Sequence, residues 1–238
     1  MIQQDPLPPV AAKRPQFNTN ETDDPETRIN RCITAIAQLD ASRLESELSR
    51  AAVALSQPQL LEQIIEPLMC RIGELWREGN LRIADEHMAS AVVRTFIGSM
   101  KAAYQPNINA PRLVIATPAG QVHELGALMA ATMATAEGWH VTYLGADLPA
   151  EELAGAVRQS GADVLGLSIV YPGDDPALPS ELARLGQLLG RDTTVLIGGR
   201  SAANYSQAID QIGAHLLDGV AAYRQALENL RLPRAPSQ

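Results

Sequence analysis

Residues 113–126 read LVIATPAGQVHELG, a short apolar run followed by a polar loop that contains one histidine. The run 113–117 has the length and composition of a buried strand, and helical spacing of apolar residues resumes near Glu124. His123 is therefore expected on a loop at the carboxyl end of a strand. Ligand-contacting side chains belong at that position in an open α/β sheet, so His123 is the first candidate for a functional residue.

The same alternation of apolar runs and helical segments continues over residues 111–232. The predicted strands are 113–117, 141–145, 164–171, 194–198 and 215–217, and the predicted helices are 124–137, 150–160, 180–189, 203–212 and 220–230. Such alternation predicts right-handed βαβ units around a parallel sheet. A flavodoxin-like (Rossmann-type) sheet with the order 2-1-3-4-5 brings together the carboxyl ends of strands 1, 3 and 4. Those ends carry His123, Ser168 and Gly198-Gly199.

The chain before residue 105 has a different pattern. Residues 1–24 are rich in proline and polar side chains, which predicts a disordered tail. Amphipathic segments then follow at 25–39, 42–55, 57–78 and 84–104, and Pro67 is expected to kink the third. The short links between them predict a four-helix bundle over residues 25–105. The predicted fold class is thus α plus α/β, a helical cap followed by a five-stranded parallel sheet domain.

The composition argues against several classes of function. The chain has 238 residues and a net charge of -8, and 46% of its residues are hydrophobic. An acidic balance disfavours nucleic-acid binding, which usually requires clustered Lys and Arg. No apolar run approaches the roughly 20 residues that span a bilayer, and no signal segment is recognised at the N-terminus. The two cysteines lack metal or redox spacing, so a cytoplasmic protein without a membrane partner is expected.

The residues near His123 favour a metal that arrives inside a cofactor. A neutral imidazole can ligate a transition metal through one ring nitrogen, while the other nitrogen requires a hydrogen-bond partner. Gln121, two residues earlier, offers an amide oxygen for that contact. Because no second ligand lies nearby in the sequence, a bare metal ion would be held weakly. The small residues Ser168 and Gly198-Gly199 leave space between strands for a flat group.

In this order and spacing, the residues resemble the signature of cobalamin-binding domains that hold the corrinoid base-off, with a histidine as lower axial ligand. The family signature D/E-x-H-x-x-G, S-x-L/V/T, G-G reads here as Gln121-x-His123-x-x-Gly126, Ser168-x-Val170 and Gly198-Gly199. The resemblance implies that His123 ligates cobalt and that Ser168 hydrogen-bonds the displaced dimethylbenzimidazole. It also implies that the two glycines make room for the nucleotide tail, and that the motif neighbours contact the cofactor, namely Val122, Glu124, Leu125 and Val170.

Gln121 departs from this signature, because an acid is usual at its position. A neutral partner makes an imidazole less electron-rich than a carboxylate does. The departure implies either weaker axial ligation by His123 or ligation that is less coupled to pH.

The helical segments contain a second pattern, W-x9-E-H, formed by Trp76 and Glu86-His87. It resembles the cap of light-sensing adenosylcobalamin proteins of the CarH/LitR type, and the resemblance implies that these side chains line the upper face of the cofactor. Two features differ from that type. No MerR-like DNA-binding domain precedes residue 25, so direct DNA binding is not expected. The residue after Trp76 is Arg77, which stays protonated and cannot ligate cobalt as a histidine there would.

Three functions are compatible with the sequence to different degrees. The first is a non-enzymatic, cobalamin-dependent light sensor that binds adenosylcobalamin and changes its conformation, its homo-oligomeric state or its contact with a protein partner. That partner would be a transcription factor or an effector enzyme. The alternative is a corrinoid methyl carrier of a methyltransferase system, with methylcobalamin as cofactor. A nucleotide- or flavin-binding protein fits least, because no G-x-G-x-x-G motif follows the first predicted strand.

Overall fold

The computed structural model describes residues 24–100, 107, 109–190 and 192–231. The predicted N-terminal tail therefore lies almost wholly outside the described residues. The last residues of the fourth predicted helix, 101–104, lie outside them as well.

The helical part contains four helical rods, as the sequence predicts. Its elements are α1 (Pro25–Ala37), α2 (Ala41–Ala54), α3 (Gln57–Leu60), a π-helical turn (Leu61–Ile65), α4 (Glu66–Arg77) and α5 (Ile83–Met100). The third rod is continuous from α3 through the π-helical turn into α4. This turn ends two residues before Pro67, and it contains Gln63, whose carbonyl group the proline ring would crowd in a regular α-helix. The expected disruption at Pro67 thus takes the form of a wider helical turn.

The start of α2 differs from the prediction. The sequence Ser42-Arg43-Leu44-Glu45 has the capping-box pattern, which predicts Ser42 as the N-cap. The N-cap residue is instead Asp40, whose carboxylate accepts a hydrogen bond from the backbone N–H of Arg43 at 2.9 Å. Aspartate is as good an N-cap as serine, and it lies two residues earlier. The helix therefore begins at Ala41.

The sheet has the predicted parallel order β2-β1-β3-β4-β5. Its strands are β1 (Arg112–Pro118), β2 (His140–Leu148), β3 (Val164–Ser168), β4 (Thr194–Gly198) and β5 (His215–Leu216). The helices that connect or follow them are α6 (Leu125–Ala136), α7 (Ala150–Ser160), α8 (Leu178–Leu188), α9 (Ser206–Gln211, after a 3-10 turn at Ala202–Tyr205) and α10 (Gly219–Arg231). All four strand pairings are parallel, so the carboxyl ends of the strands share one edge.

β3 is shorter than predicted, and this difference shapes the site. The apolar run continues through Ile169 and Val170, but the strand ladder ends where Ser168 pairs with Gly198. Beyond that pair, Ile169 donates from its backbone N–H to the Gly198 carbonyl at 2.9 Å and accepts from the Ser201 N–H at 3.1 Å. Residues 169–173 therefore form a loop at the carboxyl edge of the sheet.

The hydrophobic core has two parts, one on each face of the sheet. Alternate β1 residues point to opposite faces, with Leu113 and Ile115 in one cluster and Val114 and Ala116 in the other. The first cluster continues through α6 and α10 into the cap, while the second is covered by α7, α8 and α9. Most of α6 is buried, because this helix lies between the sheet and the cap. The cap and the sheet domain thus share one continuous core.

Within the described ranges, no helix combines the length and the apolar character needed to cross a membrane.

Candidate functional site

His123 lies on the loop between β1 and α6, at the carboxyl edge of the sheet. Its ring is exposed, and it meets the ring of Tyr171 edge to face, with 5.4 Å between centroids and 78° between planes. Val122 and Tyr171 beside it are 61% and 54% exposed. In the part of the chain that the structure describes, His123 makes no hydrogen bond. The imidazole nitrogens are therefore free to reach a ligand in the space above this edge.

Ser168, the last residue of β3, carries a buried hydroxyl without a partner. The residue is 6% exposed, and its Oγ has no hydrogen-bond partner among the described residues. A buried, unpaired hydroxyl costs about 1–3 kcal/mol, and native proteins rarely leave one unexplained. The hydroxyl lies against Gly126, where an added Cβ atom would be 2.5 Å from the Oγ. The Ser168 hydroxyl can thus offer one hydrogen bond to a ligand. We call this part of the site, at the carboxyl edge of the sheet, its floor.

The paired glycines after β4 have different environments. Gly199 has a φ of +105°, and a Cβ atom there would lie 2.8 Å from the backbone nitrogen of Ile169. A Cβ at Gly198 would make ordinary contacts, the nearest at 3.6 Å from the Leu217 carbonyl oxygen. Gly199 is thus required by the approach of two backbone segments, whatever space the pair leaves for a ligand. Gly126, Ser168, Val170 and Gly198 form one cluster, because a Cβ atom at Gly126 would lie 3.6 Å from Val170 Cγ2 and Ser168 pairs with Gly198. We call this cluster the tail slot.

Gln121 does not contact His123, as the sequence suggested it would. Its side chain is fully buried, and its Oε1 accepts hydrogen bonds from the backbone N–H groups of Val170 at 3.0 Å and Tyr171 at 3.1 Å. Its Nε2 donates to the Pro172 carbonyl oxygen at 3.0 Å. Both lone pairs of the amide oxygen are therefore occupied, and none remains for the imidazole. The predicted contact is wrong because the partners lie about fifty positions away in the chain.

Glu124 joins the His123 loop to the cap. Its carboxylate forms an ion pair with Arg94 of α5 and accepts a hydrogen bond from the Tyr143 hydroxyl at 2.7 Å. Burial, together with the bond to Glu124, raises the pKa of Tyr143, so the phenol stays a donor at neutral pH. Leu125, the next residue, packs its side chain against the shared core. Sequence reasoning missed Arg94 and Tyr143, because neither stands in a recognisable motif.

A second contact with the cap comes from Arg200, directly after the paired glycines. Its guanidinium lies 3.5 Å from the Glu74 carboxylate and donates to the Cys70 carbonyl oxygen at 3.4 Å, both on α4. At the start of α10, the backbone N–H of Val220 donates to the Glu66 carboxylate of α4 at 2.9 Å. The cap therefore lies over the carboxyl edge, touching the segments that follow β1, β4 and β5.

The W-x9-E-H residues lie at the junction of α4 and α5. Trp76 is 41% exposed and stands two residues after Glu74, which contacts Arg200. In the first turn of α5, one Glu86 oxygen lies 2.7 Å from His87 Nδ1 and the other accepts from Ser90 Oγ at 2.6 Å. The cap thus presents an exposed indole at the end of α4 and an exposed imidazole at the start of α5.

These residues fit a metal that brings its own ligands. No group of three or more His, Cys, Asp or Glu side chains able to hold a metal ion is present within the described ranges. A metal held through His123 would have a single protein ligand, which suits a cofactor such as a corrinoid better than a free ion. The Ser168 hydroxyl, which is buried and unpaired beside Gly126, is available to bond a ligand.

Comparison with known proteins agrees with this geometry. The HTH-type transcriptional repressor CarH of Myxococcus xanthus is 31% identical over 194 residues, which are 82% of this chain and 64% of that protein. The chain thus spans less than two thirds of that relative. Dimethylamine corrinoid protein 1 of Methanosarcina acetivorans is 25% identical over 172 residues, 70% of this chain and 79% of that protein.

The monomethylamine corrinoid protein of Methanosarcina barkeri has the same fold, with a TM-score of 0.68 and 19% identity over 86% of this chain and 99% of that one. Two B12 binding domain families match the chain, one over residues 28–100 in the cap and the other over residues 111–229 in the sheet domain. The second match alone covers half of the sequence. The chain belongs to the B12 binding domain family, and its architecture is that of the corrinoid proteins.

Proposed function

We propose that the chain is a cobalamin-dependent light sensor that holds adenosylcobalamin between the cap and the carboxyl edge of the sheet. One observation supports the choice of a sensor, namely that Trp76 and His87 are exposed on the cap, with the Glu86 carboxylate paired to His87. A broad aromatic side chain and a carboxylate–imidazole pair are suited to a large, polar upper ligand such as an adenosyl group.

On the sheet side, the motif residues contact different parts of the cofactor. His123 ligates cobalt through a ring nitrogen, and the Ser168 hydroxyl bonds the displaced base, which gives its unpaired Oγ a partner. Gly126 and Gly198 leave space for the tail, while Val122 and Val170 provide apolar contacts. When bound, adenosylcobalamin supplies a cobalt–carbon bond that visible light can break.

The contacts of the cap suggest how it passes on the signal. Near the site, ion pairs tie Arg94 to Glu124 and Arg200 to Glu74, and both arginine side chains are partly exposed. Exposed ion pairs contribute only about 0–1 kcal/mol each, so a change at the cofactor can shift the cap without unfolding it. Full separation of the cap from the sheet domain would in addition expose the hydrophobic core that they share around α6, which costs much more free energy. We propose that cap movement alters the oligomeric state or the binding of a protein partner, either a transcription factor or an effector enzyme.

A second candidate function is methyl carriage for a methyltransferase. It is favoured by the cap-and-sheet architecture that the chain shares with the monomethylamine corrinoid protein. The sensor is preferred because Trp76, Glu86 and His87 together suit a group larger than methyl. Gln121 also favours the sensor over the methyl carrier. A neutral amide at this position cannot pass a carboxylate proton to the axial histidine.

The experiment that separates these candidates compares two cofactors under illumination. The protein is loaded with adenosylcobalamin in the dark, and its absorption spectrum and hydrodynamic size are recorded before and after green light, with methylcobalamin as control. If the protein is a sensor, we expect it to bind adenosylcobalamin tightly in the dark and to change its hydrodynamic size after illumination. Failure to bind either cofactor would remove both candidates. Binding with no light-dependent change in size or partner affinity would favour methyl carriage.

A further inference from the structure

The loop 169–173 after β3 is held at its backbone by side chains from neighbouring loops. From the β4 side, Ser201 Oγ donates to the Val170 carbonyl at 2.7 Å, and Asn204 Nδ2 donates to the Gly173 carbonyl at 2.9 Å. Three other backbone groups, two N–H and one C=O, face the β1 side. Each of these three is bonded to Gln121.

The chemistry of this position requires an amide. Glutamine accepts two hydrogen bonds at Oε1 and donates one at Nε2, which matches the N–H groups of Val170 and Tyr171 and the carbonyl of Pro172. A carboxylate would still accept from the two N–H groups but would place a buried negative charge against the carbonyl oxygen. The acid that is usual in the signature does not suit the surroundings found here.

We infer that Gln121 is a positioning residue for the tail slot and does not act on cobalt through His123. The inference rests on the proposed cobalamin binding. Val170 belongs to the slot, and its N–H group is bonded to Gln121. It lies two positions after Ser168, whose buried hydroxyl is unpaired. This part of the slot therefore depends on the amide of Gln121. The His123 ring contacts Tyr171 instead.

The first arm of the test uses the protein without cofactor. In Gln121→Ala, amide hydrogen exchange at Val170 and Tyr171 is expected to rise by about tenfold or more, because both N–H groups lose their acceptor. The N–H of Ile169, which is bonded to the Gly198 carbonyl, serves as an internal control and keeps its rate. In Gln121→Glu, which retains the acceptor atoms, these two amides stay protected better than in the alanine variant. If the exchange rates of Val170 and Tyr171 are unchanged in Gln121→Ala, Gln121 does not hold the backbone of this loop.

The second arm compares cobalamin with cobinamide, a corrinoid that lacks the nucleotide tail. Gln121→Ala should weaken hydroxocobalamin binding by about tenfold, the effect of roughly one lost hydrogen-bonded contact, and change cobinamide binding by less than about twofold. His123→Ala should weaken both, since both contain cobalt. The visible spectrum of bound hydroxocobalamin should keep its histidine-ligated form in Gln121→Ala and lose it in His123→Ala.

The outcomes are distinct. If the wild-type protein binds cobalamin but Gln121→Ala weakens both corrinoids equally, or neither, the assignment to the tail slot is wrong. A loss of histidine ligation in Gln121→Ala would mean that the residue acts through His123. If the wild-type protein binds neither corrinoid, the proposed function fails together with the slot, whereas the exchange data alone decide whether Gln121 clamps the loop.

Discussion

The floor of the candidate site, which lies on the sheet, and its proposed roof, which lies on the cap, are built differently. On the floor, the backbone of residues 169–173 is held by Gln121, Ser201 and Asn204, and Ser168 is almost fully buried. On the roof, Trp76 and His87 are exposed, and the ties to the sheet near the site are partly exposed ion pairs. A rigid floor fixes one face of a ligand in advance, while a lightly tied roof can respond to changes on the other face.

The largest effect expected on the floor comes from Gly199. We expect Gly199→Ala to lower the free energy of unfolding by about 2–4 kcal/mol, because a Cβ atom would press on the Ile169 backbone at a positive φ. Urea unfolding measures this change. Gly198→Ala, one position earlier, is the matched control and should lie within about 0.5 kcal/mol of the wild-type protein. Equal losses in the two variants would show that the floor is less tightly packed than described.

Ser168 separates the stability of the floor from its ability to bind. Ser168→Ala should keep or raise the unfolding free energy of the cofactor-free protein by up to about 1 kcal/mol, because an unpaired buried hydroxyl is removed. The same variant should bind hydroxocobalamin about five- to tenfold more weakly, since one hydrogen bond to the displaced base is lost. Calorimetric titration and urea unfolding test the opposite signs. Reduced stability without reduced affinity would show that the hydroxyl has a structural partner.

Trp76 tests whether the roof recognises the upper ligand. In Trp76→Ala, we expect adenosylcobalamin to be retained about fivefold less well, with hydroxocobalamin changed by less than about twofold, because the lost indole contacts concern the larger ligand only. Dissociation rates measured in the dark provide the comparison. Leu39→Ala, at another exposed apolar residue of the cap, is the control for general loosening. A similar loss for both cobalamin forms would contradict the assignment.

The smallest effects are expected at the ion pairs that join the cap to the sheet domain. Arg94→Ala and Arg200→Ala should each change the unfolding free energy by only about 0.2–1 kcal/mol, with a smaller difference at high salt. Both should nevertheless expand the cofactor-free protein slightly, as measured by small-angle X-ray scattering, if these pairs hold the cap near the sheet. Arg43→Ala, remote from this interface, supplies the control. An unchanged radius in both variants would show that the shared core alone sets the cap position.

Much of the fold was predictable from local pattern. The switch from helical periodicity to short apolar runs predicted the cap, the five parallel strands and the order β2-β1-β3-β4-β5. The end of β3 was not predictable, because Ile169 and Val170 continue an apolar, β-branched run. The ladder ends at the pair of Ser168 with Gly198, next to the positive φ of Gly199 on the neighbouring strand. The N-cap of α2 at Asp40 is also a local signal, but the capping-box pattern Ser42-x-x-Glu45 competes with it in the sequence.

The sequence by itself determined which residues meet at the carboxyl edge. In a parallel sheet of known order, strand ends that carry His123, Ser168 and Gly198 must lie side by side. Only the tertiary structure decided what Gln121, Glu124 and Arg200 contact. Their partners lie between about twenty and one hundred and thirty positions away, and a hydrogen bond or ion pair depends on side-chain direction in three dimensions, which no local periodicity encodes.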